Sequence, residues 1–361
     1  MNNQTLKCAR RETVGIAVGP VRIGGGAPVS VQSMTKTDTR NVRATLAQIR
    51  RLERAGCEIV RLAVPDAEAA EALGRIKAGT RLPLVADIHF DHRLALACLA
   101  KGVDGLRINP GNIGGRKRVE AVVRSARERS VPIRIGVNSG SLERDLLARH
   151  GGATAEAMAE SALRHIRILE DLDFRLIKIS LKASDVARTV EAYRLLAGQC
   201  AYPFHAGITE AGGPLDGAVK SAVGLGLLLA EGLADTIRVS LTAPPELEVR
   251  VAWRILGSLG LRRRGVNVVS CPTCGRSETA LARIAATIDK ALAGVDRPLT
   301  VAVMGCMVNG PGEAKEADFG VACGRGTGTL FKSGRVLAKV PEKEIVPALL
   351  RLIGGWGRRV P

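Results

Sequence analysis

The 361-residue chain carries 53 Lys plus Arg against 35 Asp plus Glu, a net charge of +18, and 46% of its residues are hydrophobic. That length exceeds the roughly 250 to 300 residues that one hydrophobic core serves, so two unequal domains are expected. The apolar content excludes a disordered chain, and the charge calls for anionic partners such as phosphorylated metabolites, nucleic acid or an acidic protein. The longest apolar stretch, Ala222 to Ala230, is far short of the roughly 20 residues of a membrane helix, and Met1 to Glu12 lacks the apolar run of a secretory leader. No membrane partner and a cytoplasmic setting are therefore expected.

Val14 to Ile23, followed by Gly24-Gly25-Gly26, reads as a small hairpin covering the bottom of the next domain. No G-x-x-x-x-G-K-[ST] pattern follows, so the glycines are read as a turn and not as a phosphate loop. From residue 29 onward short apolar runs recur at about 30-residue intervals. They begin near Val29, Glu58, Pro83, Gly105, Pro132, Leu176, Pro203 and Thr236. Helix-like patterns such as Thr45 to Ala55 and Arg93 to Ala100 fill the intervals, with apolar residues repeating at three and four. Eight strand–helix repeats predict an α/β fold, a (β/α)8 TIM-type barrel over residues 1–262.

Beyond the Arg-rich segment at residues 261–265 the period changes. Strands are predicted at Val266 to Ser270, Leu299 to Met304, Phe319 to Ala322 and Leu330 to Val340. Helices are predicted at Glu278 to Ala293 and Glu344 to Ile353, giving a smaller α+β domain over residues 263–361.

Arg61, Arg107, Arg134, Lys178 and Arg238 each interrupt an apolar strand run. A buried unpaired cation costs several kcal/mol, and pairing with Asp87 or Glu210 can satisfy only some of the five. The better reading is a polyanionic ligand at the mouth of the barrel, where a diphosphate would meet several converging cations. The same strand ends carry Asp87 and His89, Asn109 and Asn112, Asn138, Ser180, Lys182, Thr209 and Glu210, and Ser240. Any one of them could cap a helix or make a turn, but polar groups repeated at one end of successive strands mark where barrel enzymes keep their sites.

Of the eight cysteines, Cys8, Cys57, Cys98 and Cys200 stand singly and are read as inert thiols. Cys271 and Cys274 form a C-x-x-C pair after one strand, and Cys306 follows another, ahead of an Asn-Gly-Pro-Gly-Glu313 turn. A C-x-x-C pair can be a redox dithiol or half of a zinc site, with Cys323 as the available fourth zinc ligand. Three cysteines and a carboxylate would also suit a [4Fe–4S] cluster with one exchangeable position.

The segments Ala86 to Asp91, Val103 to Gly114, Gly136 to Glu143, Ser270 to Arg276 and Met304 to Glu313, in this order, resemble the 4-hydroxy-3-methylbut-2-enyl diphosphate synthase family in its bacterial two-domain form. The resemblance implies reductive ring opening of 2-C-methyl-D-erythritol 2,4-cyclodiphosphate, with single electrons from reduced flavodoxin or ferredoxin. It also implies a [4Fe–4S] cluster on Cys271, Cys274, Cys306 and Glu313. A homodimer is implied too, in which the cluster domain of one subunit closes over the barrel of the other. Glu210 is then the candidate proton donor, beside His89 and Asp87, and the strand cations hold the cyclic diphosphate. One alternative is a barrel transferase resembling the pterin-binding enzymes, with a structural zinc. A nucleic-acid partner is not expected, since 2% aromatic residues offer no stacking platform.

Overall fold

The structure, a computed structural model, describes residues 9–273, 280–306, 312 and 315–356. The chain divides into two compact units that meet in sequence between residues 262 and 263.

The first unit opens with an antiparallel hairpin, β1 (Ile16–Val18) and β2 (Val21–Ile23). Its Ile16, Val18 and Ile23 pack on Ile59 and Val85, close to the N-terminal ends of two barrel strands, so the hairpin plugs the bottom of the barrel. Gly24, Gly25 and Gly26 all have positive φ, a turn that glycine adopts without steric cost.

Eight parallel strands follow: β3 (Ser30–Met34), β4 (Ile59–Ala63), β5 (Leu84–Asp87), β6 (Gly105–Ile108), β7 (Ile133–Asn138), β8 (Ile177–Lys182), β9 (His205–Ala206) and β10 (Thr236–Ile237). Their order is β8-β7-β6-β5-β4-β3-β10-β9, and a parallel bridge between Ile179 and Phe204 joins the two ends into a closed barrel. β9 and β10 are shorter than the apolar runs predict. Beyond them backbone groups leave the ladder for other acceptors: Leu241 N–H donates to Glu248 Oε1 at 3.0 Å and Thr242 N–H to the Gly212 carbonyl.

The helices between the strands start where a short polar side chain can accept a free backbone N–H. Asn41 caps α1 (Val42–Ala55), Asp66 caps α2 (Ala67–Ala78), Thr154 caps a helix at Ala155–Glu170 and Asp185 caps one at Val186–Ala197. Ile49 and Leu52 of α1 are fully buried, each contributing about 1.5–3 kcal/mol of apolar burial. The same core takes the outward strand residues Leu106, Ile108, Ile133, Ile135, Ile177 and Ile179. Because side chains alternate along a strand, their neighbours Arg107, Arg134 and Lys178 face the barrel lumen.

In the second unit the sheet order is β11 (Val266–Ser270), β12 (Leu299–Met304), β13 (Phe319–Gly324), β14 (Thr327–Lys332) and β15 (Arg335–Pro341). The first three strands run parallel and the last two antiparallel. The Leu330 to Val340 segment, predicted as one strand, is thus the end of one strand and most of the next. They turn at Ser333 and Gly334, both with positive φ, as a tight two-residue hairpin requires. Helices at Leu281–Leu292 and Ile345–Trp356 cover one face through Ile284, Ile288 and Leu349, packed with Val301, Val321 and Cys323. The other face carries Ala302, Met304, Ala322 and Phe331. Among the described residues no helix is long and apolar enough to cross a membrane.

Candidate functional site

The lumen brings together all five strand cations that the sequence singles out, and Lys182 with them. Asp87, Arg107, Arg134 and Lys178 are successive register partners across β5, β6, β7 and β8, so they form one row around the wall. Among the described residues Asp87 is the only carboxylate at the lumen-facing strand positions. It lies 3.5 Å from Arg61 Nε and 3.4 Å from Arg107 Nη1. Arg107 also donates to the Gly136 carbonyl at 2.9 Å and sets Nη1 3.1 Å from His89 Nδ1. Glycine at position 136 leaves room for this packing, since a Cβ there would press on the Arg107 guanidinium.

The remaining cations lack such partners. Arg134 Nε and Nη1, Lys178 Nζ and Arg238 Nε have no hydrogen-bond partner among the described residues, although Arg134 and Lys178 are buried. Burial is the first cause that lowers the Lys178 ammonium to about 7, and Arg134 adds to it. Burial, then Arg238 and Arg134, hold Lys182 well below the usual lysine range. Burial alone would raise Asp87, but the charges of Arg61, Arg107 and Arg134, with His89 close by, outweigh it and hold the carboxyl far below its ordinary range. The lumen therefore holds more positive groups than its own carboxylate can balance.

The polar strand-end residues divide by role. Asn109 Oδ1 accepts the Gly136 N–H at 2.9 Å, which ties the end of β6 to β7, and Ser180 Oγ donates to the Ile135 carbonyl at 3.4 Å. Asn112 is exposed in a short turn, whereas Asn138, Thr209 and Ser240 are half-buried where a ligand can reach them. Glu210 is exposed, makes no ion pair among the described residues and holds φ 51°. Backbone strain of this kind collects at functional positions. His89 is over half exposed, with Nε2 3.7 Å from Asp87 Oδ1.

Sequence reasoning passed over His205, the first residue of β9. It is fully buried, and its Nε2 lies 3.4 Å from Lys182 Nζ. The available signal was the alternation itself, which puts position 205 on the lumen side together with 207 and 209. Also missed was His165, which accepts the Gly111 N–H at 3.2 Å and lies 3.2 Å from Glu143. It braces the loops after β6 and β7 from behind, and its hydrogen bond holds the Glu143 carboxyl down to about 2.

In the second unit, Cys271 follows β11 and Cys306 follows β12, two adjacent parallel strands, and Cys271 N–H donates to the Val303 carbonyl at 3.2 Å. Both thiols are half-buried at the same end of the sheet. Thr273 beside them has φ 62°, a strained value for a β-branched residue. Cys274, Met307 and Glu313 lie outside the described residues, and no group of three metal-ligating side chains gathers among those that are described. Two soft thiols converging from adjacent strand ends fit iron or zinc as part of a donor set. Cys323, the candidate fourth zinc ligand, is instead buried in the helix-covered core. Cys57 and Cys98 are core thiols pushed up to about 12 by burial, as expected of inert cysteines; Cys200 is half-buried and Cys8 lies outside the described residues.

The comparisons agree with the division into two units. Residues 13–253 match the model of the GcpE TIM-barrel domain, and residues 267–354 that of the GcpE protein C-terminal domain. A Geobacter sulfurreducens protein named 4-hydroxy-3-methylbut-2-en-1-yl diphosphate synthase (flavodoxin) is 62% identical, covering 94% of this chain and 97% of its own. One of the same name from Thermodesulfovibrio yellowstonii is 58% identical over 95% of this chain and 99% of its own. Dihydropteroate synthase from Yersinia pestis superposes with a TM-score of 0.50 at 10% identity, covering 68% of this chain and 96% of its own, a likeness of barrel fold alone. With both units matched in order by the two domain models and relatives of this identity spanning nearly the whole chain, the chain is a member of the GcpE family.

Proposed function

We propose that this chain is a 4-hydroxy-3-methylbut-2-en-1-yl diphosphate synthase, which opens 2-C-methyl-D-erythritol 2,4-cyclodiphosphate reductively in non-mevalonate isoprenoid biosynthesis. The observation that carries the reading is the lumen, where cations outnumber the carboxylate Asp87 and several buried nitrogens lack a partner. A cyclic diphosphate meets that demand, and the names of the relatives agree. The rival transferase with a structural zinc loses support on both counts, since the family is another one and Cys323 is a core residue.

Arg61, Arg107, Arg134, Lys182 and Arg238 hold the two phosphates, and Asn138, Thr209 and Ser240 stand ready as neutral donors at the rim. Fixing the substrate through its charged end is how binding energy orients the bond to be broken. Asp87 keeps Arg61 and Arg107 in place before the ligand arrives. Glu210, exposed on its strained turn, is the candidate to protonate the departing hydroxyl as water, with His89 beside Asp87. Cys271, Cys274, Cys306 and Glu313 would hold a [4Fe–4S] cluster, which supplies electrons one at a time when bound. The electron donor is reduced flavodoxin, the donor given in the relatives' names, with ferredoxin as the alternative; the setting is cytoplasmic.

The working unit is a homodimer. The helix at Pro214–Ala230 exposes Leu215, Val219, Val223 and Leu227 at four-residue spacing, between 42% and 76% accessible. Its one Asp and one Lys leave it neutral in a chain of net charge +18, so two copies can meet there without like-charge repulsion.

The test is anaerobic. Protein reconstituted with iron and sulfide, given the cyclic diphosphate and reduced flavodoxin, is expected to form 4-hydroxy-3-methylbut-2-enyl diphosphate. Zinc without acid-labile sulfide, and no product, would overturn the reading.

A further inference from the structure

Two kinds of cation share the lumen. The guanidinium groups of Arg61, Arg107, Arg134 and Arg238 keep their protons between pH 6 and pH 8, burial lowering Arg238 only to about 10, whereas an ammonium or imidazole can release one there. Lys178 faces Arg134 as its register partner, and Lys182 lies 3.4 Å from His205. Lys178 Nζ and His205 Nδ1, both buried, have no hydrogen-bond partner among the described residues. An ammonium held there would leave its donors unmade among like charges, while a neutral amine forgoes far less.

We propose that the barrel lumen is a proton-linked anion site, at which Lys178, Lys182 and His205 take protons from solvent as the cyclic diphosphate seats among the fixed guanidinium groups, and give them back when the lumen empties. The proposal rests on the diphosphate reading of the lumen and adds to it how the barrel carries its charge in the two states. It is a binary exchange between amine or imidazole and bulk water, and needs no further reactant.

The groups facing each site act in this direction. Against Lys178, burial and Arg134 favour the neutral amine and Asp235 opposes them, with the balance at about 7. Against His205, burial leads, followed by Arg134, Lys182, Lys178 and Arg61. Against Lys182, burial leads, followed by Arg238, Arg134, Arg61 and Arg107. Asp87 is committed to Arg61 and Arg107. An arriving dianion reverses the field and raises all three groups, so protons move onto the protein. The ligand does not confuse the count: each phosphorus of a cyclic diphosphate keeps one strongly acidic oxygen, which stays ionised between pH 6 and pH 8.

The experiment is calorimetric titration of the cyclic diphosphate into the unreduced holoenzyme under anaerobic conditions, in two buffers of different ionisation enthalpy. At pH 8 the heats are expected to differ between buffers by the amount that about one proton or more per barrel requires. At pH 6, where Lys178 is already protonated, the uptake is expected to fall by about one. Lys178→Arg fixes the charge and Lys178→Met removes it, yet both are expected to lower the uptake at pH 8 by about one proton while the pH 6 value holds. A merely structural lysine would not give the same loss from opposite charges. If neither variant folds, the wild-type difference between pH 8 and pH 6 decides. Saturable binding with buffer-independent heat at pH 8 would overturn the proposal and leave the diphosphate reading standing. Absence of binding to the wild-type protein would overturn both.

Discussion

Arg107 and Arg134 are register partners on adjacent parallel strands, two guanidinium groups side by side inside one closed barrel. Arg107 has Asp87 and the Gly136 carbonyl, while Arg134 Nε and Nη1 have no partner among the described residues. Like charges directly opposite each other oppose strand pairing. The pair is held together from outside, by Leu106, Ile108, Ile133 and Ile135 packed beneath the helices. Stability is thus spent on a charge arrangement that only an anionic ligand repays.

That imbalance has a measurable consequence. Arg134→Met should stabilise the ligand-free protein by about 1–3 kcal/mol, since it replaces a buried unpaired cation with an apolar side chain. The same variant, like Arg107→Ala, should weaken binding of the cyclic diphosphate by about 1.5–3 kcal/mol per lost charged hydrogen bond. Thermal unfolding and calorimetry on one preparation check both halves. Unchanged affinity in both variants would remove these residues from the site.

Asp87 is expected to behave in the opposite way. Asp87→Asn leaves Arg61 and Arg107 uncompensated and should destabilise the protein by about 3–5 kcal/mol. The pH dependence has a definite sign. Because the folded carboxyl is held below its unfolded value of about 3.9, its stabilising contribution is complete above that pH and is lost as the pH falls through the lower folded value. Acid unfolding monitored by circular dichroism should therefore begin at higher pH in Asp87→Asn than in the wild type, and coincident transitions would contradict the pairing.

How far the sequence revealed this site depended on the kind of signal. The barrel was legible because eight apolar runs at a nearly constant interval leave little else to build, and Arg61 or Lys178 stand out as charges inside such runs. His205 was not legible, since one imidazole in an apolar run looks like any buried histidine until alternation is traced through the closed sheet. The shortness of β10 was hidden for another reason: Glu248, on a helix after the last strand, takes the Leu241 N–H, a tertiary competitor that no local pattern records. The turn at Ser333 and Gly334 was visible as Ser-Gly but lay inside an otherwise continuous strand-like run.

The two cysteines at the ends of β11 and β12 give a test of the metal centre. Cys306→Ser is expected to abolish most of the visible iron–sulfur absorption and to lower iron content, because a thiolate ligand is replaced by a poorer donor. Glu313→Ala should assemble a cluster but turn over slowly. Full iron and an intact spectrum in Cys306→Ser would take that residue out of the ligand set.

The apolar stripe on the helix at Pro214–Ala230 predicts the assembly state. Val219→Asp, and separately Val223→Asp, put a charge on an exposed position and should leave the fold intact while converting the proposed dimer to monomer in sedimentation velocity. A desolvated like charge on each side of a twofold contact costs several kcal/mol, enough to dissociate an interface of ordinary size. A dimer that survives both substitutions at micromolar concentration would place the contact elsewhere.

Electron delivery is expected to depend on salt. Residues 261–361 hold 16 Lys plus Arg and 8 Asp plus Glu, a net +8, whereas residues 1–260 hold 37 and 27, a net +10 over more than twice the length. The cysteine-bearing unit is therefore about twice as charge-dense as the barrel. Some of that charge is already engaged on the surface, as Arg264 is with Asp296 at 2.9 Å, so the steering field is smaller than the count. Flavodoxins and ferredoxins are typically acidic, and encounter between opposite charges is screened beyond about 8 Å at physiological ionic strength. Reduction by a protein donor should accordingly slow by about tenfold or more between low and high salt, while reduction by a small neutral dye should not change. Stopped-flow absorbance of the cluster measures both rates on the same enzyme. Equal salt sensitivity for the two reductants would leave the basic residues as an ordinary solvated surface with no part in electron transfer.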